Sequence, residues 1–379
     1  MQNLLGDKKE QLGSLSRQLK HLSIDTGHQG VDCGLTPVTT SPADMEVNQK
    51  RRQLCLMLLL APLAACHSSD IVQPNEQSYQ VIDFNWIDPA RSRPVPARLY
   101  WPMKTAYKKT VPLVVFSHGM GGGRQGYSYL GKHWSTHGVA SLHVQHVGSD
   151  AELWKGNPFG LIDRLQGAAQ EDEALARTTD VSFALDQLLS AETGHYSAAI
   201  DHQRIVIAGH SYGANTALLK VGAQVVREGK TIDCLDSRFR AGIIISAPPF
   251  YGESDLKAVL SKISVPTIHI TSTDDEINIP GYYSDTEDRL KLFNAISDPN
   301  KLLVVYRDGS HSMFTDRPFT GGLSLNSKVK TATADLTLAY FDLIFKGDDR
   351  ALALWRTNWS SILEQQELPV VSPQTTTTS

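Results

Sequence analysis

Arg204-Ile205-Val206-Ile207-Ala208-Gly209-His210-Ser211-Tyr212-Gly213-Ala214 is the stretch that decides how this chain folds. Arg204 to Ala208 is a short apolar, β-branched run, the pattern of a buried strand. From Ala214 to Val225 helix formers place Ala217, Leu218, Val221 and Val225 on one face, so a helix is expected there. Between the two stands G-x-S-x-G. A strand that turns abruptly into a helix presents its serine on a tight bend. Glycines at 209 and 213 keep side chains from colliding with the neighbouring strand and helix. The bend also places Ser211 at a helix N-terminus, whose backbone N–H groups can hold an oxyanion. Ser211 is therefore the candidate nucleophile.

A serine hydroxyl is a poor nucleophile without a base. A sheet carrying this turn supplies an acid and then a histidine later in the chain. Val265 to Thr271 reads as a strand and runs into Ser272-Thr273-Asp274-Asp275-Glu276. Lys301 to Tyr306 reads as another and runs into Asp308-Gly309-Ser310-His311-Ser312. An acid and a histidine just past the C-terminal ends of their strands meet above the sheet edge. His311 is the candidate base, and by spacing both Asp274 and Asp275 fit as its acid. Val111 to Phe116 is a further apolar strand, followed by Ser117-His118-Gly119-Met120-Gly121-Gly122-Gly123-Arg124. Such a turn supplies one N–H donor to a tetrahedral oxyanion, and the residue after the nucleophile supplies the other. The backbone N–H groups of Met120 and Tyr212 are expected to be that pair.

Two competing readings of these residues fail on spacing. Gly121 to Gly126 matches G-x-G-x-x-G after a strand, but a dinucleotide site also needs an acid about 20 residues further on, ending the next strand. That strand, near 139–145, ends in His146, and the nearest acid is Asp150 beyond a glycine. No cofactor is expected. Among 13 histidines, His143 and His146 are best placed for a metal. Positions i and i+3 of a strand face opposite ways, so no metal is expected. Arg177 and Asp180 read as a structural surface pair on a helix whose core side is Val181, Ala184, Leu185 and Leu188.

The coarse pattern is α/β. Eight strands are expected near 79–87, 95–101, 111–117, 139–145, 204–208, 241–247, 265–271 and 301–306. Helices are expected near 128–137, 170–191, 213–227, 254–262, 286–296, 327–346 and 349–363. Alternation of the two implies a mostly parallel sheet with helices on both faces and an antiparallel edge at its start. No separate cap domain is expected. Cover over the site must come from loops at 147–169 and 276–286, where Trp154, Pro158, Phe159 and Leu161 are candidates to line an acyl pocket.

Ser117-His118-Gly119-Met120-Gly121, Trp134-Ser135-Thr136-His137-Gly138, Arg177 to Leu189 and Gly209-His210-Ser211-Tyr212-Gly213 resemble the α/β-hydrolase serine esterases. They resemble both the dienelactone-hydrolase-like proteins and the platelet-activating-factor acetylhydrolases. Gly309-Ser310-His311-Ser312 is also similar to the cutinase-like polyester hydrolases. The likeness runs from about Ser78 to Asp348 and implies an α/β-hydrolase fold with a serine esterase mechanism. Ser211 stands where dienelactone hydrolases carry cysteine, so dienelactone is not the implied substrate. The families' Gly-Thr-any-Asp pattern falls on Ser272-Thr273-Asp274-Asp275 and selects Asp275 as the acid.

The chain has 379 residues, 41% hydrophobic and 20% charged, and a net charge of -4. It can bury a full core, and it lacks the basic balance of a nucleic-acid binder. Lys50-Arg51-Arg52 precedes an apolar run, Leu54 to Pro62, and then Leu63-Ala64-Ala65-Cys66. The run is too short to span a bilayer, which takes about 20 residues. With its basic lead and small residues it reads as a secretory signal over 45–65. Leu63 to Cys66 resembles the bacterial lipobox, which implies a lipidated Cys66, a tether over 66–77 and a cell-envelope location at the outer membrane facing the periplasm. Met45 gives that signal an ordinary start, leaving 1–44 as an N-terminal extension. Cleavage before Cys66 would leave Cys234 as the one unmodified cysteine of the four. A catalytic domain is expected over 78–363 and a disordered tail over 364–379, where Thr375 to Thr378 stand in a row.

The expected activity is cleavage of a small-molecule or lipid ester. An acyltransferase, a peptidase with the same three side chains, or a non-catalytic envelope binding protein of this fold are the alternatives.

Overall fold

The computed structural model describes residues 78–103, 110–316 and 323–369. The signal, Cys66, the tether and the extension before Met45 lie outside them. Thirteen strands and nine α-helices are described. The first strands are β1 (Tyr79–Asp88), β2 (Arg93–Pro102), β3 (Val111–Ser117), β4 (Ala140–Val144) and β5 (Ile200–His210). Next come the hairpin strands β6 (Gln224–Arg227) and β7 (Lys230–Asp233), then β8 (Ala241–Ile245) and β9 (Thr267–Asp274). A second hairpin, β10 (Ile277–Ile279) and β11 (Tyr282–Ser284), precedes β12 (Lys301–Ser310) and β13 (Leu363–Glu367). The helices are α1 (Ser128–Thr136), α2 (Leu161–Ala168), α3 (Glu171–Leu189), α4 (His195–Ala199), α5 (Tyr212–Lys220), α6 (Leu256–Leu260), α7 (Thr286–Ala295), α8 (Leu323–Lys346) and α9 (Arg350–Trp359).

Nine strands form one sheet in the order β1-β2-β4-β3-β5-β8-β9-β12-β13. From β4 across to β12 the neighbours are parallel, while β1, β2 and β13 pair antiparallel at the two edges. This is the doubly covered, mostly parallel sheet of an α/β-hydrolase fold, with one strand more than the eight expected. The additional strand is β13, which begins the segment expected to be a disordered tail. Leu303 to Tyr306 of β12 give it a ladder to pair with, and a polar sequence such as Leu363-Glu364-Gln365-Gln366-Glu367 is no obstacle on an edge.

Strand side chains alternate between two cores. Leu113, Val115, Ile205 and Ile207 face α3 and α5, packing with Val181, Ala184, Leu185, Leu188, Ala217 and Leu218. Val114, Phe116, Val206 and Ala208 face the other way, against Leu130 and Trp134 of α1, Leu336 and Tyr340 of α8, and Trp355 of α9. Period-2 alternation on strands meets period-3.6 stripes on helices on both faces, so neither face of the central strands sees water.

The helix after Ser211 is shorter than the apolar stripe suggests. It stops at Lys220, and Val225 lies in β6 instead of on a helical face. Gly222 adopts φ +118, and a Cβ there would meet the Lys262 carbonyl oxygen at 2.7 Å. A left-handed glycine pressed against another backbone ends the helix, and the chain turns into the β6–β7 hairpin.

β4 lies outside β3, so the direction of winding reverses between β3 and β5. A crevice opens at the C-terminal ends of these two strands. Ser117 at the end of β3 is registered opposite Gly209 of β5, which brings the 117–124 turn and the Ser211 bend side by side.

Candidate active site

Ser211 has φ 55 and ψ −125, a strained conformation for a residue with a side chain. Tight packing enforces it. A Cβ on Gly209 would meet the Gly213 carbonyl oxygen at 2.0 Å, and one on Gly213 would meet that of Ser117 at 2.0 Å. The Ser211 N–H donates to Ile245 O of β8, and Ala214 N–H returns to Ser211 O, so both sides of the bend are pinned.

His311 Nε2 lies 2.8 Å from Ser211 Oγ, and His311 Nδ1 lies 2.7 Å from Asp275 Oδ1. Of the two acids that spacing allowed, the fold brings Asp275 to His311 and leaves Asp274 exposed. Asp275 is fully buried and is further satisfied by hydroxyls. Thr271 Oγ1 donates to its Oδ2 at 2.6 Å, Ser246 Oγ donates to the same oxygen, and Arg289 Nη2 stands 3.4 Å from Oδ1. Burial alone would raise the carboxyl's pKa. The His311 imidazole, the Arg289 charge and the Ser246 hydroxyl together outweigh that and hold it well below the usual carboxylate range. Asp275 is thus an ionised acceptor that obliges His311 to carry its proton on Nδ1 and to turn a lone pair on Nε2 toward the serine.

His210, inside the motif, takes a second role. Its Nε2 donates to the His311 carbonyl at 3.0 Å, so its Nδ1 accepts from Tyr127 Oη at 2.8 Å. Tyr127 Oη in turn accepts the Gly119 N–H at 3.2 Å. Burial, with His311 nearby, drives the His210 pKa well below that of a free histidine, so it stays neutral. One hydrogen-bonded chain therefore ties the backbone of His311 to the glycine turn.

That turn holds its amides apart from one another. Gly121 N–H donates to Ser149 O at 2.8 Å and Gly122 N–H to Gly119 O at 3.0 Å. Among the described residues the N–H groups of Met120 and Tyr212 have no partner. Met120 and Tyr212 flank Ser211 in the lining of one cavity of about 1140 Å³. The Met120 side chain packs on the small apolar cluster of Leu153, Leu165 and Ala168.

The expected loops do form part of the cover. Segment 147–169 folds into two short 3-10 turns and α2, and 277–284 into the β10–β11 hairpin. Trp154 lines the cavity and bonds the Gly121 carbonyl through Nε1 at 2.8 Å. Pro158, Phe159 and Leu161 do not line it. Phe159, in the short turn Pro158–Gly160, is 94% exposed. The β6–β7 hairpin, which the sequence hid inside a helix, adds Val225, Arg227 and Ile232 to the wall.

Arg177 and Asp180 are not a surface pair. Both are fully buried. Asp180 pairs with Arg91 and Arg93 and accepts His146 Nδ1–H at 3.1 Å, while His146 Nε2 meets Ser117 Oγ at 2.9 Å. His143 instead hydrogen-bonds the Gly126 carbonyl. Asp180 and Arg177 turn inward because the 117–149 loops close over that end of α3, which a helical wheel cannot foresee. Ser246, Thr271, Tyr127 and the inner Ser117–His146–Asp180 set escaped the sequence reading for a related reason. Each is a polar residue marked by no spacing rule, whether at a strand end, in a loop or, like Asp180, within a helix.

Comparison with known proteins adds to this geometry. The family model described as "Platelet-activating factor acetylhydrolase, isoform II" matches residues 87–153 and 174–339. The chain belongs to this family. It is 26% identical over 304 residues to the platelet-activating factor acetylhydrolase of Cavia porcellus, covering 71% of this chain and 64% of that protein. To the Canis lupus familiaris protein of the same name it is 26% identical over 258 residues, covering 60% and 52%. The chain therefore spans between about half and two thirds of the length of these relatives. Among solved structures, a ferulic acid esterase from Streptomyces cinnamoneus superposes with a TM-score of 0.51 at 18% identity, covering 74% of this chain and 93% of the other. That likeness concerns the fold. The matched segments of the acetylhydrolase family hold Ser211, Asp275 and His311 together with the 117–124 turn and Tyr212.

Proposed function

We propose that the protein is a serine esterase that hydrolyses carboxylic esters through an acyl-enzyme on Ser211. The observation that carries this reading is the placement of His311 between Ser211 Oγ (2.8 Å) and the buried Asp275 carboxylate (2.7 Å) at the edge of a large cavity. His311 Nε2 takes the Ser211 hydroxyl proton as Oγ bonds to the ester carbonyl carbon. The carbonyl π-electrons move to oxygen, and the N–H groups of Met120 and Tyr212 receive the oxyanion. The tetrahedral intermediate collapses, the C–O bond to the alcohol breaks, and His311 returns the proton to the departing oxygen. Water repeats the sequence on the acyl-enzyme, releasing the acid and restoring Ser211. Asp275 stays ionised throughout and stabilises the charged His311.

The substrate belongs to the class of small or lipid esters with one bulky apolar part, which Trp154, Phe250, Tyr251 and Tyr282 would receive. The relatives' names, an acetylhydrolase and a ferulic acid esterase, fit hydrolysis of an ester. A panel of p-nitrophenyl esters of increasing acyl length, with Ser211→Ala beside the wild type, tests the reading. Chain-length-dependent turnover abolished in Ser211→Ala supports it. Equal rates in both proteins would refute it.

The protein acts at the bacterial cell envelope, anchored to the outer membrane through lipid on Cys66. The basic lead, short apolar run and Leu63-Ala64-Ala65-Cys66 support this, as does His67, since no aspartate follows the cysteine. The test is expression from Met45 in a Gram-negative host. Membrane-bound lipidated protein, lost in Cys66→Ser, is expected. Unlipidated wild-type protein in the cytosol would refute it.

A further inference from the structure

Arg177 sits behind the glycine turn and the Ser211 bend and touches both. It is fully buried and lies outside the cavity lining. Its Nη2 donates to His118 O and to Ser117 Oγ (3.1 Å), at the root of the turn that carries Met120. Its Nη1 donates to Ser149 Oγ at 2.8 Å, and Ser149 O holds the Gly121 N–H. Its Nε donates to Thr216 Oγ1 at 3.1 Å, and Thr216 Oγ1 donates to Tyr212 O at 3.1 Å. Its guanidinium carbon lies 4.4 Å from the centre of the Tyr212 ring. A planar cation with five fixed donors thus fastens the root of the Met120 turn directly, the Gly121 side of that turn through Ser149, and the Tyr212 carbonyl through Thr216.

We propose that Arg177 is the positioning residue that sets the separation of the Met120 and Tyr212 N–H groups, and that the inner Ser117–His146–Asp180 set holds its guanidinium. This rests on the esterase reading above. His146 donates from Nδ1 to Asp180, so its Nε2 accepts a hydrogen bond from the Ser117 hydroxyl and leaves the Ser117 lone pairs for Arg177. His146 N–H donates to His118 Nε2 (3.1 Å), and His118 Nδ1 closes onto Gly119 O (2.7 Å), so the turn is anchored twice. Lysine could replace the charge but not this fork.

The test uses Arg177→Lys, Arg177→Met and, as a milder variant that keeps the buried cation, Thr216→Val. Active sites are counted by fluorophosphonate titration, so a loss of folded protein is separated from a loss of rate. A trifluoromethyl ketone, whose adduct with Ser211 carries an oxyanion, is compared with the matching uncharged ether as a ground-state ligand. The inference predicts a kcat per site reduced by roughly 10- to 100-fold in both Arg177 variants, an unchanged KM and unchanged ether binding. Ketone affinity should fall in step with kcat. Thr216→Val should show the same pattern at a few-fold, and it decides the matter alone if the Arg177 variants do not fold. A kcat per site equal to the wild type, or equal weakening of ketone and ether, would overturn the inference. A wild-type protein that neither turns over esters nor reacts at Ser211 would refute the esterase reading itself, and this inference with it.

Discussion

Two Ser–His–Asp sets lie within this molecule, built from the same bonds in the same direction. In the outer set His311 is 2.8 Å from Ser211 Oγ and 2.7 Å from Asp275. In the inner set His146 is 2.9 Å from Ser117 Oγ and 3.1 Å from Asp180. Their surroundings differ. The His311 side chain keeps 19% of its exposure and lines the cavity, whereas that of His146 keeps 0%. Asp275 serves His311, with the Ser246 and Thr271 hydroxyls on its other oxygen and one arginine, Arg289, at 3.4 Å. Asp180 is shared with Arg91 and Arg93, and Arg177 covers Ser117. Burial first, and then those three arginines, hold the His146 pKa well below that of a free histidine, so it cannot accept the serine's proton. Three side chains in a line do not make a nucleophile. The base must be free to become charged, and the serine must have room for a carbonyl.

The largest expected effect separates the two serines. Ser211→Ala should lower kcat by roughly 10⁴- to 10⁶-fold with the fold intact. Ser117→Ala should cost about tenfold or less, through looser seating of Arg177. Ester turnover with far-UV circular dichroism checks both. A crippled Ser117→Ala enzyme of normal stability would erase the distinction.

The two aspartates should part in the same way. Asp275→Asn should lower kcat by about 10⁴-fold, because the amide favours the wrong tautomer of His311, and Asp274→Asn should change little. Asp180→Asn should act on stability. It removes the fully buried carboxylate that Arg91 and Arg93 share, leaving them Asp88 and Glu173, a loss of about 3 kcal/mol in urea unfolding.

The least local effect is the response to acid. His118, His146 and His210 have pKa values pushed well below the free value, first by burial, and His143 and His269 are lowered to about 3 by burial. Such groups are neutral when folded and take up protons on unfolding below about pH 6.5. Stability should therefore fall as pH drops from 6.5 toward 3, each neutral histidine adding about 1.4 kcal/mol per pH unit. The depressed carboxyl of Asp275 adds stability that is present above about pH 4 and lost as pH falls further, through its folded value. His146→Gln should flatten the slope between pH 6 and 4 by one proton's worth. An unchanged slope would mean that the inner histidine is charged.

Sequence made the outer set legible and the inner one almost invisible, for a physical reason. Ser211, Asp275 and His311 each follow an apolar strand, and parallel strands deliver their C-terminal ends to one crevice. Period-2 and period-3.6 patterns likewise foretold the two cores. Ser117, His146, Arg177 and Asp180 come from a strand end, a loop and a helix whose relation depends on how 117–149 closes. Arg177 and Asp180 looked solvated because charged residues on a helix usually are. The β6–β7 hairpin was hidden because Val221 and Val225 continue a helical stripe past Gly222. β13 was hidden because an edge strand needs little apolar patterning.

The central claim is that Ser211, and not the serine with the matching bonds, is the nucleophile. Treating the intact wild-type protein with a fluorophosphonate and mapping the adduct by peptide mass spectrometry tests it directly. Stoichiometric label on the peptide containing Ser211, with none on the peptide containing Ser117, is the predicted result. Label on Ser117, or inactivation of the enzyme with Ser211 unmodified, would contradict it.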